Sequence, residues 1–169
     1  MSSEPLQVER RPKWRWAVWG LVAAAVLAVT VWYVNSPGAL PTTDTMISAS
    51  TPVDQPVYVG VFAPEADFGR TLHLSGVKVH TTSNTEVTVV PLLCRGGTVG
   101  VTSDPESFCD ELVNPEGQTF GAGDGIVLEV SSPEAAIAVI DRVRLGYRDG
   151  LQWGTHEAGA GAVVRILAR

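Results

Sequence analysis

The chain has 169 residues, enough for one ordinary domain beside a short terminal segment, and its 45% share of hydrophobic residues is globular rather than disordered. Its formal net charge of −6 is unevenly placed: residues 1–15 carry an excess of basic side chains, whereas residues 16–169 carry twice as many acidic as basic ones. An acidic folded part argues against nucleic acid and anionic lipid headgroups as its partners, since both are bound through a basic face.

The apolar run at residues 16–34 (WAVWGLVAAAVLAVTVWYV) has no charged side chain and predicts a single transmembrane helix in a lipid bilayer. At about 1.5 Å per residue it spans roughly 28 Å, close to the hydrocarbon thickness of a bilayer, and aromatic residues stand at both of its ends. The basic cluster precedes the run and the next basic residue is Arg70, so the positive-inside rule places residues 1–15 in the cytoplasm and the remainder outside the cell membrane. A cleaved signal peptide is the alternative, although its apolar region is normally shorter.

Small residues recur every four positions in this run, at Gly20, Ala24 and Ala28. Such a stripe lets two membrane helices approach closely and predicts a homodimer contact. The frequency of alanine in the segment explains the same spacing without any contact.

Residues 35–45 are rich in Pro, Gly, Ser and Thr and predict a flexible tether, after which residues 46–169 form one extracytoplasmic domain. Short β-branched runs with alternating apolar residues dominate that domain, as in PVYVGVF and GIVLEV. Six to eight such strands predict an all-β fold, a β-sandwich of Ig-like or similar Greek-key type with one short helix.

Three positions carry local predictions within these strands. The apolar phase shifts at Gly76, which indicates a β-bulge. Pro91 lacks an N–H, so its strand is expected to be an edge or to be bulged there. The long apolar run that begins at residue 136 is expected to be interrupted near Asp141.

A β-hairpin is predicted around Gly150. A two-residue Asp-Gly loop would put Leu151 and Trp153 on the face opposite to Tyr147. A three-residue loop with Gly150 at positive φ instead pairs Tyr147 with Leu151 and Leu145 with Trp153. Because only the second arrangement buries all four large apolar residues on one face, we expect the three-residue loop.

The short helix is predicted at SDPE, residues 103–106, which matches a capping box followed by an early proline. Phe108, Cys109 and Leu112 would then share its inward face. Cys94 and Cys109 form an even count of cysteines in a part assigned to an oxidising compartment, so we expect them to form a disulfide.

The sequence contains no motif typical of catalysis, of a metal site or of a cofactor. His73 and His80 are expected on the outward face of one strand, roughly 23 Å apart, and His156 in a solvated loop. The acidic residues between 104 and 124 favour a solvated surface over a calcium site, because their spacing matches no EF-hand. The glycine-rich residues 121–125 precede a strand and lack the lysine of a phosphate loop, so they indicate a turn.

The stretch DRVRLGYRDGLQWGTHEAGAG at residues 141–161, the PVYVGVF strand, the two central cysteines and the apolar N-terminal run together resemble a group of short, uncharacterised, single-pass membrane proteins of actinobacteria. The resemblance implies an extracytoplasmic β-sandwich and carries no activity or functional residues.

The sequence therefore predicts a non-enzymatic module that binds a protein partner at the outer face of the membrane, as an accessory subunit of a membrane complex. The alternative is an extracytoplasmic protein that binds a small ligand or a cation.

Overall fold

The computed structural model describes residues 14–168, so most of the predicted basic tail lies outside the described residues. Within that range the chain forms one helix, a single 3-10 turn at Pro105–Ser107 and twelve strands. In chain order these are α1 (Trp14–Val34), β1 (Thr42–Pro52), β2 (Val57–Phe62), β3 (Leu72–Lys78), β4 (Thr81–Ser83), β5 (Thr88–Arg95), β6 (Val101–Thr102), β7 (Glu111–Val113), β8 (Thr119–Phe120), β9 (Gly125–Ser131), β10 (Ala136–Ile140), β11 (Val143–Asp149) and β12 (Gln152–Leu167).

Helix α1 stands apart from the rest of the fold. Its apolar part, Trp16–Val34, has a mean hydropathy of 2.1, and none of it is buried against the protein. It is long and apolar enough to cross a membrane, whereas a core helix of a soluble domain with this composition would be buried.

The strands form two facing sheets, which confirms the predicted β-sandwich preceded by a single apolar helix. The large sheet has the order β4-β10-β12-β11-β3-β8, and β1 pairs in parallel with the second half of β12. The small sheet has the order β6-β2-β9-β5-β7, and all of its pairs are antiparallel. Between residues 14 and 168, only β11 and β12 pair as consecutive strands, so most pairings join distant parts of the chain, as in Greek-key folds.

The core lies between the inner faces of the two sheets, where alternate residues of each strand meet. Because side chains alternate across a strand, the apolar positions of the predicted runs supply this layer. Its largest fully buried side chains are Tyr147, Phe120, Leu72, Leu93, Ile126, Leu128, Ile140 and Leu145.

All three local strand predictions are confirmed. The pairing of β3 with β11 shifts between Gly76 and Leu74, which is the expected bulge. Asp141 falls in the gap between β10 and β11, which pair in succession with the two halves of β12. Pro91 pairs with β9 on one side, while β7 covers β5 only from Leu93 onward, so the proline lies where the strand is locally an edge.

The predicted capping box is wrong in detail. The turn at Pro105–Ser107 is a single 3-10 turn whose N-cap is Asp104, and that side chain caps no backbone N–H. Instead, Ser107 Oγ donates a hydrogen bond to Asp104 Oδ2 at 2.6 Å. The segment is too short for an inward face, and Phe108 is 55% exposed.

The predicted hairpin register is also wrong. Gly150 has a φ of 59°, as expected, but Asp149 pairs with Gln152, so the loop consists of Gly150 and Leu151. Tyr147 therefore faces Gly154 rather than Leu151. Leu151 is 77% exposed.

Trp153 follows the same corrected register. It pairs with Arg148, whose guanidinium lies 5.3 Å from the ring centroid, and the ring is 52% exposed. The inward position opposite Tyr147 belongs to Gly154, and Pro37 packs onto that glycine: an added Cβ would come within 2.4 Å of Pro37 Cγ. The expectation that every large apolar residue is buried therefore misplaced the tryptophan.

The predicted flexible tether, residues 35–45, is replaced by an ordered segment that packs on the domain. Strand β1 already begins at Thr42, and both Pro37 and Leu40 are buried. Leu40 is 5% exposed and belongs to the main core. The composition of residues 35–45 suggested a free linker, but contacts with strands that are distant in sequence hold the segment in place.

Candidate functional site

The outer face of the small sheet is covered by a loop that the cysteines hold in place. Cys94 and Cys109 lie side by side, as the predicted disulfide requires. Together with Val99 they cover Val127, whose side chain points away from the main core and is nevertheless fully buried. This face of the sandwich is therefore closed to partners at its centre.

Tyr58 lies at the margin of this covered face. Burial raises the pKa of its phenol, and the carboxylate of Glu129 raises the pKa further by repulsion and hydrogen bonding. The phenol therefore stays neutral and acts as a packing and hydrogen-bonding group.

Acidic side chains between residues 104 and 124 mostly support local structure. Asp124 accepts hydrogen bonds from the backbone N–H of Gly121 at 3.0 Å and of Gly96 at 3.4 Å, which closes the glycine-rich turn. Glu111 lies 3.9 Å from Arg95 across the β5–β7 pair. Across residues 14–168, no group of three or more metal-ligating side chains is found.

The histidines are dispersed over the described domain. His73 is exposed on the outer side of the large sheet, His80 is exposed in the link between β3 and β4, and His156 is half-buried with its ring centroid 6.0 Å from that of Tyr147. The loop expected around His156 is instead part of β12.

Unlike the small sheet, the large sheet leaves a group of apolar side chains uncovered on its outer face. We call this group the outer strip; it crosses three adjacent strands, β1, β12 and β10. Val139 lies directly opposite Val163, and the exposed fractions of Ile137 and Val139 are 53% and 39%. Met46 lies over Gly161, since a Cβ added there would come within 2.8 Å of Met46 Sδ, and Met46 is 46% exposed. The outer strip consists of Met46, Ile137, Val139 and Val163.

A charged groove of about 590 Å³ borders the outer strip at Met46 and Gly161. Arg142 forms ion pairs with Asp44 and Glu157, and Arg144 Nη2 lies 3.1 Å from Glu157 Oε1. Lys78 and Asp141 also line the groove, so its three basic and three acidic side chains cancel formally. A groove with mutually paired charges selects neither anions nor cations strongly and resembles the polar rim of a protein interface.

The outer strip was not among the features predicted from the sequence. Residues 136–140 (AIAVI) are apolar on both faces of β10, which was the available signal, because a strand with one face in water normally alternates with polar residues. Which face remains uncovered depends on the rest of the fold.

The opposite end of the large sheet holds the segment that follows α1. Tyr147 donates a hydrogen bond from its hydroxyl to Gly38 O at 2.6 Å, and Arg70 donates to Gly38 O and Ala39 O at 3.2 and 3.3 Å. Arg70 also pairs with Asp149 at 2.8 Å. We call residues 35–41 the docked segment.

Burial raises the pKa of Tyr147 above its usual value, and the neighbouring Arg70 guanidinium partly offsets that increase. The phenol therefore remains a hydrogen-bond donor to the docked segment throughout the physiological pH range.

No family model, no curated protein and no solved structure matches the chain.

Proposed function

We propose that this protein is a single-pass membrane protein whose extracytoplasmic β-sandwich binds a partner protein through the outer strip, as an accessory subunit of a membrane complex. The single observation that carries the binding role is the uncovered outer strip beside a charge-paired rim. An apolar centre with a polar margin is typical of protein interfaces.

The exposed apolar surface of α1 supports the membrane anchorage. A fully exposed helix with a mean hydropathy of 2.1 would be unfavourable in water, and a bilayer removes that cost. The docked segment favours retention of the helix over cleavage as a signal peptide, because Pro37 and Leu40 are buried immediately after it. The N-terminus is proposed to be cytoplasmic because four basic residues lie within residues 10–15, just before the apolar run, and no basic residue follows that run until Arg70.

The distance between the outer strip and the helix end limits the kind of partner. The docked segment and β1 run beside β12 from its first residue to its last, so β12 leads away from α1. Val163 is eleven residues beyond Gln152, and at about 3.3 Å per residue it lies up to roughly 36 Å from the helix end. The fitting partner is therefore the extracytoplasmic domain of another membrane protein.

The alternative role, binding of a small ligand or cation, would use the charged groove. The arginines of the groove already pair with Asp44 and Glu157. A ligand would have to break these pairs, whereas a protein partner can keep them at its margin. We therefore favour the protein partner.

Site-specific photocrosslinking in native membranes tests the proposal. A photoreactive residue at Val139 should yield a discrete crosslinked product with one other membrane protein. Val90 on the small sheet is the matched control, since its exposed fraction of 40% equals that of Val139 within one per cent. Equal crosslinking at both positions, or none at Val139, would contradict binding through the outer strip.

Membrane topology needs a separate experiment. Protease added to intact spheroplasts should digest the domain and spare an N-terminal tag. Loss of the tag with survival of the domain would reverse the proposed orientation.

A further inference from the structure

The loop between β11 and β12 lies beside the C-terminal end of the apolar helix. Gln152 Nε2 donates hydrogen bonds to Tyr33 O and to Ser36 O, both at 3.0 Å. Tyr33 belongs to the last turn of α1, so the first residue of β12 is at the level where the helix ends. One residue of a strand rises only about 3.3 Å, so the neighbouring positions 151 and 153 lie at nearly the same level.

The side chains at this level are large apolar and aromatic ones, which loops that face water rarely expose. Leu151 occupies the tip of the loop and is 77% exposed, and Trp153 is 52% exposed. Trp32 and Tyr33, in the last turn of the helix, are also exposed, at 69% and 54%. Tryptophan and tyrosine favour the boundary between headgroups and acyl chains, because their rings are apolar and their N–H or O–H groups are polar.

Charge at the loop is arranged to permit contact with lipid. Asp149 is the acidic residue nearest to the tip, and Arg70 pairs with it at 2.8 Å. Arg148 lies over the Trp153 ring at 5.3 Å, so its guanidinium can remain among phosphate groups while the ring enters the apolar layer.

The docked segment holds this arrangement in place. Pro37 packs on Gly154, and Tyr147 and Arg70 bind the backbone of Gly38. The loop therefore cannot swing freely away from the helix end, and insertion of the helix carries the loop to the membrane surface.

We propose that the β11–β12 loop is a second membrane contact, with Leu151 and Trp153 seated in the outer leaflet of the bilayer that α1 crosses. The occupant is the headgroup and upper acyl region of a zwitterionic lipid layer. The inference rests on the anchorage in the proposed function, and it is independent of the outer strip.

Fluorescence quenching in reconstituted membranes tests the inference. The full chain is placed in phosphatidylcholine vesicles with only one tryptophan, Trp153, after replacement of the other four by phenylalanine: Trp14, Trp16, Trp19 and Trp32. Lipid brominated high on its acyl chains should quench Trp153 strongly and shift its emission to the blue, while aqueous acrylamide should quench it weakly. Leu151→Asp in the same chain should reduce quenching by the brominated lipid and increase quenching by acrylamide, because a carboxylate disfavours the interface.

A second single-tryptophan chain, which retains Trp32 alone, separates the two proposals. If the brominated lipid fails to quench Trp32, the anchorage itself is wrong. If it quenches Trp32 but not Trp153, the anchorage stands and the loop contact is overturned. Protection of Trp153 from both quenchers would also overturn the inference, because the ring would then be covered by protein and not by lipid.

Discussion

Replacing Leu40 by alanine tests whether the segment after the helix is part of the fold. Leu40 is 5% exposed and packs in the main core, although its sequence neighbours are typical of a linker. A buried leucine that is truncated to alanine costs about 2–5 kcal/mol, and a site in a segment outside the strands should relax enough to give about 3 kcal/mol. For a urea m-value of about 2 kcal/mol/M, that loss lowers the unfolding midpoint by roughly 1.5 M.

The measurement is urea denaturation of the full chain in non-ionic detergent micelles, with the folded fraction read by pulse proteolysis. Leu167→Ala is the matched control, because Leu167 ends β12 and is 55% exposed. It should change the free energy of unfolding by less than about 0.5 kcal/mol. Equal midpoints for Leu40→Ala and the wild type would refute the packing of the docked segment and restore a flexible tether.

Three further predictions concern the covalent and polar restraints. Replacing Cys94 and Cys109 together by serine should lower the free energy of unfolding by about 3 kcal/mol, because a bridge over 15 residues restricts the unfolded chain; alkylation of both thiols in unreduced native protein would contradict the bridge. Gly154→Val should displace the docked segment and expose it to chymotrypsin, while Gly100→Ala, where an added Cβ meets open space, should not; equal digestion would refute the contact. Since burial raises the pKa of Tyr147 above 10.0, the folded state keeps the proton longer than the unfolded state, and stability present below pH 10 should fall as the pH rises through the folded pKa. In urea titrations above pH 10, the free energy of unfolding of Tyr147→Phe should fall less steeply with pH than that of the wild type. Equal slopes for the two proteins would contradict this assignment.

Features that depend on local chemistry could be predicted from the sequence. The alternation in GIVLEV indicates a half-buried strand, the phase shift at Gly76 indicates a bulge, and Pro91 excludes a fully paired central position. Each of these follows from the side chain or the backbone of the residue itself. The sandwich class follows from the number and spacing of such strands.

Features that depend on distant contacts could not be predicted in the same way. The loop register was predicted on the assumption that Trp153 is buried. Pro37 instead occupies the space opposite Tyr147, and the Trp153 ring lies on the outer face. The residues that hold the docked segment are far from it in sequence, as with Gln152 and Ser36, which are 116 positions apart. Composition describes a segment's tendencies and contains no information about such a partner.

The outer strip could not be predicted from the sequence for the same reason. The apolar residues of β10 indicate a strand that is buried on both faces, and only the completed sandwich shows that the outward face has no cover within the described residues. The outer faces of the two sheets differ because a loop held by the disulfide covers the small sheet, whereas no such loop covers β1, β12 and β10 of the large sheet within the described residues.

The docked segment has a consequence for how often the domain would meet the proposed partner. A domain on a loose linker samples a hemisphere above the membrane, and its effective concentration at any one point falls as the linker lengthens. Here residues 35–41 lie along β12, so in the proposed membrane setting the domain's remaining large motions are tilting with its helix, rotation about the helix axis and lateral diffusion. The outer strip is then kept at a nearly constant height, and encounters with a partner in the same membrane become almost two-dimensional. A partner whose own binding surface lies at that height loses less orientational freedom on association, and one at another height is rejected by geometry alone.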